Sequence, residues 1–451
     1  MLPIDSAIFG ALFGTEEMRA IFSEQAYLQA MLDVEAALSR AEAGLGLVPQ
    51  EVANAVTGAA KVENLRLDEI ARSTVKVGYP VVALVRELGR AAGGEAARFI
   101  HLGATTQDIL DTALVLQMRS GVAAIRRDLV ATAQALGRLA RRYRDTPMAG
   151  RTHLQQAVPI TFGLKCAVWV APLVAHVERL DQAWRRAAKI QFGGAAGTLA
   201  PLGPNGIAVA RALAEELKLE LPDLPWHATR DTVAELCSML GLICGSLGKF
   251  AFDVMLLMQS EVGEVAEPYE AGRGGSSTMP QKRNPIASEF ILAAARAVHA
   301  LVPVMMGAMI ADHERASGPW QSEPLALPQC FVLTAGALAQ ARQVAEGLTV
   351  DEARMRRNLE LDGGLIMAEA ASSALTRAMG RAAAHHAVEQ ACARALGEQR
   401  SLREILSEDP NVRAHLSEEE IGRMVDPASY LGSTTEFIDR TLQSLERCSE
   451  S

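Results

Sequence analysis

Five long apolar runs with helical spacing dominate the middle of this 451-residue chain. They cover roughly residues 109–143, 153–190, 229–266, 286–312 and 324–348. Runs of this length exceed the usual globular helix and indicate a bundle of long helices. Aromatic residues make up only 4% of the chain, so alanine, leucine, valine and methionine must fill the core. Because alanine and leucine lead the helix scale, the sequence predicts an all-α fold with a central long-helix bundle.

Two smaller helical regions flank this bundle, so we expect three domains at 1–108, 109–360 and 361–451. In the first region Ser23 can cap a helix whose apolar residues recur at steps of three and four, namely Met31, Val34, Leu38, Ala41 and Leu45. Past residue 363 the apolar runs shorten, and residues 394–423 are dense in both charge signs. The glycine-rich stretch 191–206 is predicted to connect two helices.

Charge and composition argue against some classes of binding partner and some cellular locations. A formal net charge of −9 without a basic stripe argues against a nucleic-acid binder. The longest uncharged run, 324–341, is interrupted by Pro324 and Pro328, so we expect no membrane span. The N-terminus has an acid and no base before Arg19, which makes a poor signal peptide, so we expect a cytoplasmic protein. Six cysteines without a CxxC spacing predict buried free thiols.

Three glutamates at spacings of three residues could suggest a metal site. Glu261, Glu264 and Glu267 are not joined by a histidine at helical spacing, and a proline follows them. We therefore interpret them as a solvated helix face and expect no metal site.

Residues 272–285 cannot form a regular helix or strand, because three glycines and two adjacent serines lie among them. Glycines allow positive φ and close approach to a ligand, and consecutive N–H groups in such a loop can converge on an anion. Lys282 adds a point charge and Asn284 a neutral hydrogen-bonding group. The loop suits a substrate that carries or develops negative charge. Considered alone, Ser276 also fits a solvated Gly-Ser turn.

Two further segments contain polar residues in a distinctive order. One reads His101-Leu-Gly-Ala-Thr-Thr-Gln-Asp108, and the other reads Gly150-Arg-Thr-His-Leu-Gln-Gln-Ala-Val-Pro159. We place Thr105, Thr106 and Asp108 at a loop-to-helix junction, where N–H groups and the positive end of the helix dipole favour anions.

These two segments and the string Gly275-Ser-Ser-Thr-Met-Pro-Gln-Lys-Arg-Asn-Pro285 resemble, in this order, the conserved regions of the fumarase/aspartase superfamily of lyases. The resemblance covers most of the chain. It implies the three-domain, all-α fold of that superfamily, a small polycarboxylate substrate and no cofactor. It also implies a homotetramer whose active sites combine the three segments from different subunits.

The resemblance also assigns roles to individual residues. The first serine of the loop, here Ser276, acts as the catalytic base in that superfamily, and a histidine at the place of His153 is the general acid that pairs with a glutamate, here Glu289. Lys282 would take part in catalysis by stabilising the dianionic intermediate. The implied contacts to the substrate are made by Thr105, Thr106, Arg151, Thr152, Gln155, Asn284 and Arg315. On the residues alone, Arg315 fits a structural ion pair equally well.

Within the superfamily, the chain resembles the carboxymuconate cycloisomerases most and the adenylosuccinate lyases second. The stretch 76–82 lacks the His-Asp pair of adenylosuccinate lyases, and Trp320-Gln-Ser-Glu323 is typical of the cycloisomerases. His313-Glu-Arg315 and the His153/Glu289 pair are shared with the adenylosuccinate lyases.

This resemblance implies lactonisation of 3-carboxy-cis,cis-muconate to 4-carboxymuconolactone in aromatic catabolism. Two alternatives stay open. One is an adenylosuccinate lyase-type β-elimination that releases fumarate. The other is a catalytically silent helical structural protein, against which the presence of Ser276, Lys282 and Asn284 argues.

Overall fold

The protein is described by a computed structural model that covers residues 2–268, 274–275, 279 and 281–450. Most of these residues are helical, which confirms the predicted all-α class. The helices before the first long one are Gly10–Phe13, Glu16–Ile21, Glu24–Gly44, Gln50–Ala59, Leu67–Val77 and Val81–Ala92. The five long helices are Thr106–Arg142, Phe162–Ala187, Asp231–Leu257, Ile286–Ala308 and Pro319–Gly347, with Gly206–Leu217 between the second and third. The last helices are Glu352–Leu359, Ala368–Met379, Arg381–Glu398, Leu402–Glu408, Pro410–Arg413, Glu418–Met424 and Thr434–Glu450.

The chain divides into two compact units whose boundaries fall within the five long helices. The first unit comprises Met1–Asp128, His176–Leu247 and Ala293–Ala339, and the second comprises Leu129–Ala175, Gly248–Leu292 and Gln340–Ser451. The three sequence-based domains at 1–108, 109–360 and 361–451 stay a prediction.

Helix Glu24–Gly44 shows how local signals start an element of the first unit. The Ser23 side chain accepts a hydrogen bond from Ala26 N, which satisfies one of the free N–H groups at the helix start. Met31, Val34 and Leu38 are buried, so the helical spacing in the sequence does mark the core face. Leu45, expected on that face, is exposed at the helix end.

The long helices of the first unit approach closely where glycine faces a large side chain. A Cβ on Gly121 would lie 2.9 Å from the Phe331 ring, so the ring needs the space that glycine leaves. Nearby, the buried Cys237 Sγ donates to the buried Cys330 Sγ at 3.4 Å, which joins helix Asp231–Leu257 to helix Pro319–Gly347. Four of the six cysteines, at 166, 237, 244 and 330, are buried, as their apolar surroundings in the sequence predict.

The second unit contains a β-hairpin that the sequence did not predict. Strands Pro147–Thr152 and Gln155–Thr161 pair antiparallel, and the helix expected over 153–190 begins only at Phe162. The expectation of helix over 153–161 is therefore wrong. The segment contains the β-branched residues Val158, Ile160 and Thr161, which favour a strand, and Pro159, which disfavours the interior of a helix. A second small sheet pairs Val265–Ala266 with Thr349–Val350.

The other long runs match their helices to within a few residues at most ends, but two details differ. The run expected over 229–266 ends as a helix at Leu257. The helix expected from 324 begins at Pro319, and Pro324 and Pro328 lie inside it.

Three of the long helices are long and apolar enough to cross a membrane by length and composition alone, namely Asp231–Leu257, Ile286–Ala308 and Pro319–Gly347. In the first and third helix, 56% and 67% of the most apolar stretch is buried within the chain, so their apolarity serves the core. In Ile286–Ala308 only 28% is buried. That helix presents a largely uncovered apolar surface.

The C-terminal helices of the second unit surround a core of their own. Leu375, Leu402, Ile405 and Ile421 are among its fully buried members. Ser401 and Ser417 each start a helix with a complete capping box, which stabilises these short elements at their first turn.

Candidate active site

The glycine- and serine-rich loop is closed at its base by backbone contacts. Asn284 N donates to Gly274 O at 2.9 Å, and Gly275 forms an antiparallel bridge with Arg283. Gly274 has a φ of +65°, and a Cβ there would lie 2.8 Å from Asn284 O, so this position requires glycine. Ser276, the predicted base, lies outside the residues that the structure describes.

Lys282 and Asn284 follow the loop and lie directly before helix Ile286–Ala308. Lys282 is exposed and Asn284 is half-buried. The helix start is held by Glu267, whose carboxylate accepts from Ala287 N at 3.1 Å and from Ser288 N at 2.8 Å. A carboxylate at this end of a helix satisfies free N–H groups and the positive end of the dipole. Glu267 therefore fixes the direction in which the loop enters the helix.

His153 occupies the tip of the β-hairpin. His153 and Leu154 both have positive φ, +52° and +63°, which is the conformation of a two-residue type I′ turn. The turn leaves His153 exposed, together with Thr152 and Gln155 on either side of it. Glu289 is also exposed, on the first turn of its helix. Among the described residues of this chain, no hydrogen bond or ion pair joins His153 to Glu289.

Arg151 is held by a buried carboxylate. Its guanidinium forms two hydrogen bonds with Glu264, at 2.8 and 2.6 Å, and Asn358 Nδ2 donates to the same carboxylate at 2.7 Å. Glu264 is fully buried, and so is most of Glu267. Our interpretation of these glutamates as a solvated helix face is wrong, since neither lies in a helix and each binds donors that are distant in the sequence.

In the first unit, Thr105 and Arg315 are in contact. Arg315 Nη2 donates to Thr105 Oγ1 at 2.5 Å and to Gly194 O at 3.3 Å. Helix Thr106–Arg142 begins at the next residue, so the junction expected at this point is confirmed. Arg315 Nε is buried and has no hydrogen-bond acceptor in the described part of the chain. Arg315 therefore has an unused donor, and its side chain binds neutral oxygens rather than a structural carboxylate.

His101, at the start of the same segment, pairs with a buried glutamate. Its Nδ1 lies 2.7 Å from Glu35 Oε1, and its backbone has a φ of +68°. Burial lowers the pKa of His101, but the Glu35 carboxylate outweighs this effect and the pKa ends above its ordinary value. Glu42, on the same helix as Glu35, is also buried. This group could not be predicted from spacing, because Glu42 and Glu35 are 59 and 66 residues away from His101.

The Trp-Gln-Ser-Glu segment contributes to a buried ion-pair network. Arg230 donates to Asp111 at 2.7 and 3.0 Å and to Glu323 at 2.8 and 2.5 Å. Trp320 Nε1 donates to Asp111 Oδ1 at 3.0 Å. Because each buried charge has a hydrogen-bonded partner, the network holds helix Pro319–Gly347 to helix Thr106–Arg142 in one arrangement. Among the described residues, no group of His, Cys, Asp or Glu could hold a metal ion.

Two protein-family models match the chain. A family model described as "Lyase" matches residues 13–300, and one described as "Adenylosuccinate lyase C-terminus" matches residues 364–441. The chain belongs to the fumarase/aspartase superfamily of lyases, whose members act on small carboxylate substrates.

The chain is 50% identical over 438 residues to 3-carboxy-cis,cis-muconate cycloisomerase of Pseudomonas aeruginosa, covering 96% of this chain and 95% of the relative. It is similar to the crystal structure of 3-carboxy-cis,cis-muconate lactonizing enzyme from Pseudomonas putida, with a TM-score of 0.94 and 46% identity, covering 98% of this chain and 100% of the other. The predicted all-α class and its fumarase/aspartase-type fold are therefore confirmed.

Relatives with other activities are also similar over the full length. Nitrosuccinate lyase of Streptomyces davaonensis is 41% identical over 455 residues, covering 98% of this chain and 96% of the relative. Several relatives between 45% and 50% identical, however, carry the cycloisomerase name.

Proposed function

We propose that this protein is an intramolecular lyase that converts 3-carboxy-cis,cis-muconate to 4-carboxymuconolactone, in the protocatechuate branch of the β-ketoadipate pathway, without a cofactor. The observation that carries this proposal is the identity of 45% to 50%, over nearly the whole chain, to several cycloisomerases. The runner-up is an adenylosuccinate lyase-type elimination that releases fumarate, which the C-terminal family match favours.

The reaction is an addition within one molecule that also takes up one proton from solvent. One substrate carboxylate oxygen forms a bond to a carbon of the conjugated double bond. The displaced electron pair moves onto the neighbouring carboxylate, which becomes a doubly charged aci-carboxylate. A proton delivered to the carbon beside that carboxylate completes the lactone, and solvent returns the proton to the donor. The chain must therefore supply a proton donor and positive groups around the intermediate.

The loop and the residues after it provide these groups in our proposal. Ser276 delivers the proton, and Lys282, Asn284 and the loop N–H groups stabilise the charge of the aci-carboxylate. A serine hydroxyl works in this role only where its alkoxide is stabilised by nearby donors. The contact from Asn284 N to Gly274 O supports this proposal, because it holds Asn284 against the start of the loop.

The other carboxylates of the substrate need separate binding groups. We propose that Thr105, Thr106 and Arg315 bind one of them, because Arg315 has a buried N–H without an acceptor in the described chain. The exposed hairpin residues Thr152 and Gln155 are proposed to bind another, and Arg151 stays a predicted contact whose guanidinium is already held by Glu264.

His153 and Glu289 have a secondary role in this proposal. An amine leaves poorly without protonation, whereas a carboxylate with an ordinary pKa near 4 attacks or departs without a proton. A general acid is therefore dispensable for lactonisation, and His153 orients the substrate. Each side chain is exposed within one chain, which supports a pairing between subunits.

We propose a homotetramer with shared active sites. The largely uncovered apolar surface of helix Ile286–Ala308 supports a partner on that helix, since such surfaces are rarely left to solvent. A cytoplasmic location is proposed from the sequence.

An absorbance assay with a panel of substrates tests the function. The protein is mixed separately with 3-carboxy-cis,cis-muconate and with adenylosuccinate, and the conjugated-diene absorbance or fumarate release is followed. Loss of the diene absorbance supports the proposal, and release of fumarate alone supports the elimination. Absence of activity on both substrates supports a catalytically inactive structural protein.

A further inference from the structure

We propose that Asp108 is a positioning residue that holds Thr105 and Arg315 in place as a subsite for a substrate carboxylate. The inference rests on the proposed function. Asp108 is fully buried and does not itself meet the substrate in this proposal.

Asp108 accepts four hydrogen bonds, which use the acceptor capacity of both its oxygens. Oδ1 accepts from Gly193 N at 3.0 Å and lies 2.7 Å from His227 Nε2. Oδ2 accepts from Gly194 N at 2.9 Å and from Thr105 N at 3.0 Å. A single carboxylate therefore joins the start of helix Thr106–Arg142 to the glycine turn at 193–194 and to His227.

Two of these donors belong to the residues that hold Arg315. Its Nη2 donates to Thr105 Oγ1 and to Gly194 O, and the backbone N–H groups of the same two residues donate to Asp108 Oδ2. The position of the guanidinium thus depends on one buried oxygen. Loss of that oxygen would release both anchors of Arg315 together.

The glycine turn meets Asp108 through its backbone N–H groups in closely packed surroundings. A Cβ on Gly193 would lie 2.7 Å from the Pro225 side chain and 2.9 Å from the His227 ring. Gly194 has a φ of +70°, so its N–H points to Asp108 only in a conformation that favours glycine. Leu199 N holds the carbonyl oxygen of Gly193 at 3.0 Å, and the Asp108 carboxylate holds both N–H groups of the turn.

Arg315 Nε indicates what this arrangement is for. It is buried and has no acceptor among the described residues. An unsatisfied buried donor is expensive to maintain in a folded protein and is common at binding sites. A carboxylate oxygen bound beside Arg315 and Thr105 would satisfy it, and a planar guanidinium suits a carboxylate.

The test is Asp108→Asn, which keeps the size of the side chain and replaces one acceptor oxygen by a donor. We expect KM for the carboxymuconate to rise about tenfold or more, with kcat within about threefold, because a weakened anchor removes binding shared by ground state and transition state. Thr112→Val is the matched control. Thr112 lies on the same helix as Asp108, and its Oγ1 forms hydrogen bonds with Gln191 N and Gln191 O, on the same loop as the glycine turn. These bonds do not involve Thr105 or Gly194, the two residues that hold Arg315. The KM of Thr112→Val should stay within about twofold of the wild type.

Two results would overturn the inference. One is a lower kcat with unchanged KM, which is the result of a smaller folded fraction. The other is an equal rise of KM in the Thr112→Val control. If Asp108→Asn does not fold, His227→Leu removes one of the four donors and should raise KM in the same direction by about threefold. An unchanged KM in that folded variant would also contradict the inference.

Coupling to Arg315 gives an independent readout. In a double-mutant cycle of Asp108→Asn with Arg315→Lys, the effects on KM should be clearly less than additive, because both act through one guanidinium. Additive effects would contradict the inference. Calorimetric binding of tricarballylate, an unreactive tricarboxylate, separates this inference from the proposed function. Weaker binding to Asp108→Asn than to wild type would support the subsite even if wild type fails to convert the muconate, and equal binding would overturn it.

Discussion

Arg151 and Glu264 form a bidentate ion pair in which Arg151 Nη1 lies 2.8 Å from Oε2 and Nη2 lies 2.6 Å from Oε1. The carboxylate is fully buried, whereas about a fifth of the arginine side chain is exposed, at 21%. The pair anchors the strand that leads to His153. Arg151 thus supports the hairpin even where it also contacts a substrate.

Replacing this arginine should destabilise the protein strongly. Arg151→Met leaves Glu264 buried with Asn358 as its remaining side-chain donor among the described residues, and we expect a loss of about 3–5 kcal/mol in the free energy of unfolding. Urea unfolding measures this. The double variant Arg151→Met with Glu264→Gln removes the unpaired charge and should recover much of the loss. A single variant as stable as the wild type would show that the pair contributes little.

His153→Ala should retain measurable lactonisation. The attacking carboxylate needs no general acid, so we expect a loss of about 10- to 100-fold in kcat/KM from poorer orientation. Glu289→Gln is the companion variant and should lose less than His153→Ala. The rates are measured from the diene absorbance. A loss as large as that of Ser276→Ala would refute the division of roles between serine and histidine.

The stability of the protein should depend on pH through Glu42. Burial and the neighbouring Glu35 carboxylate raise the pKa of Glu42 to about 8, above its ordinary value of 4.5. Between these values the unfolded chain loses the proton and the folded chain keeps it, so stability falls as pH rises and stays low above about 8.

Glu42→Gln should remove this dependence and stabilise the protein by on the order of 4 kcal/mol at pH 9, with little effect at pH 4. Thermal unfolding from pH 4 to 9 measures it. Glu51→Gln, at an exposed position, is the control and should follow the wild-type profile. Parallel pH profiles for Glu42→Gln and wild type would contradict the assignment.

The proposed homotetramer leads to a prediction for helix Ile286–Ala308. Met306 is exposed within the chain, and Met306→Glu should break the assembly and the activity together, because a buried unpaired charge is costly at an apolar interface. Light scattering gives the mass of the particle. Val75→Glu places the same charge on an exposed valine of another helix and should leave the assembly intact. An active monomer would argue against shared active sites.

The long helices could be predicted because their apolar spacing is a local signal. The hairpin at 147–161 could not, since its turn is built from His153 and Leu154 at positive φ rather than from the Asn-Gly pair that marks such turns. The glutamates at 264 and 267 were misinterpreted for a different reason. Their partners lie about 20 to 113 residues away in the sequence, and spacing alone cannot indicate such pairs.

The site was predictable in part. The segment at 101–108 was expected to start a helix beside an anion site, and Thr105 does contact Arg315 there. The role of Asp108 was not visible, because its four donors come from three separate parts of the chain. Sequence motifs indicate the residues that meet a ligand more readily than the buried residues that hold them in position.

In the proposed mechanism Ser276 delivers the proton that completes the lactone, and the variant Ser276→Ala tests this step. The diene absorbance of 3-carboxy-cis,cis-muconate is followed with wild-type protein and with folded, tetrameric Ser276→Ala under the same conditions. We expect wild type to remove the absorbance and the variant to be slower by about 10³-fold or more. A variant that works at nearly the wild-type rate, or a wild type that leaves the diene intact, would contradict the account.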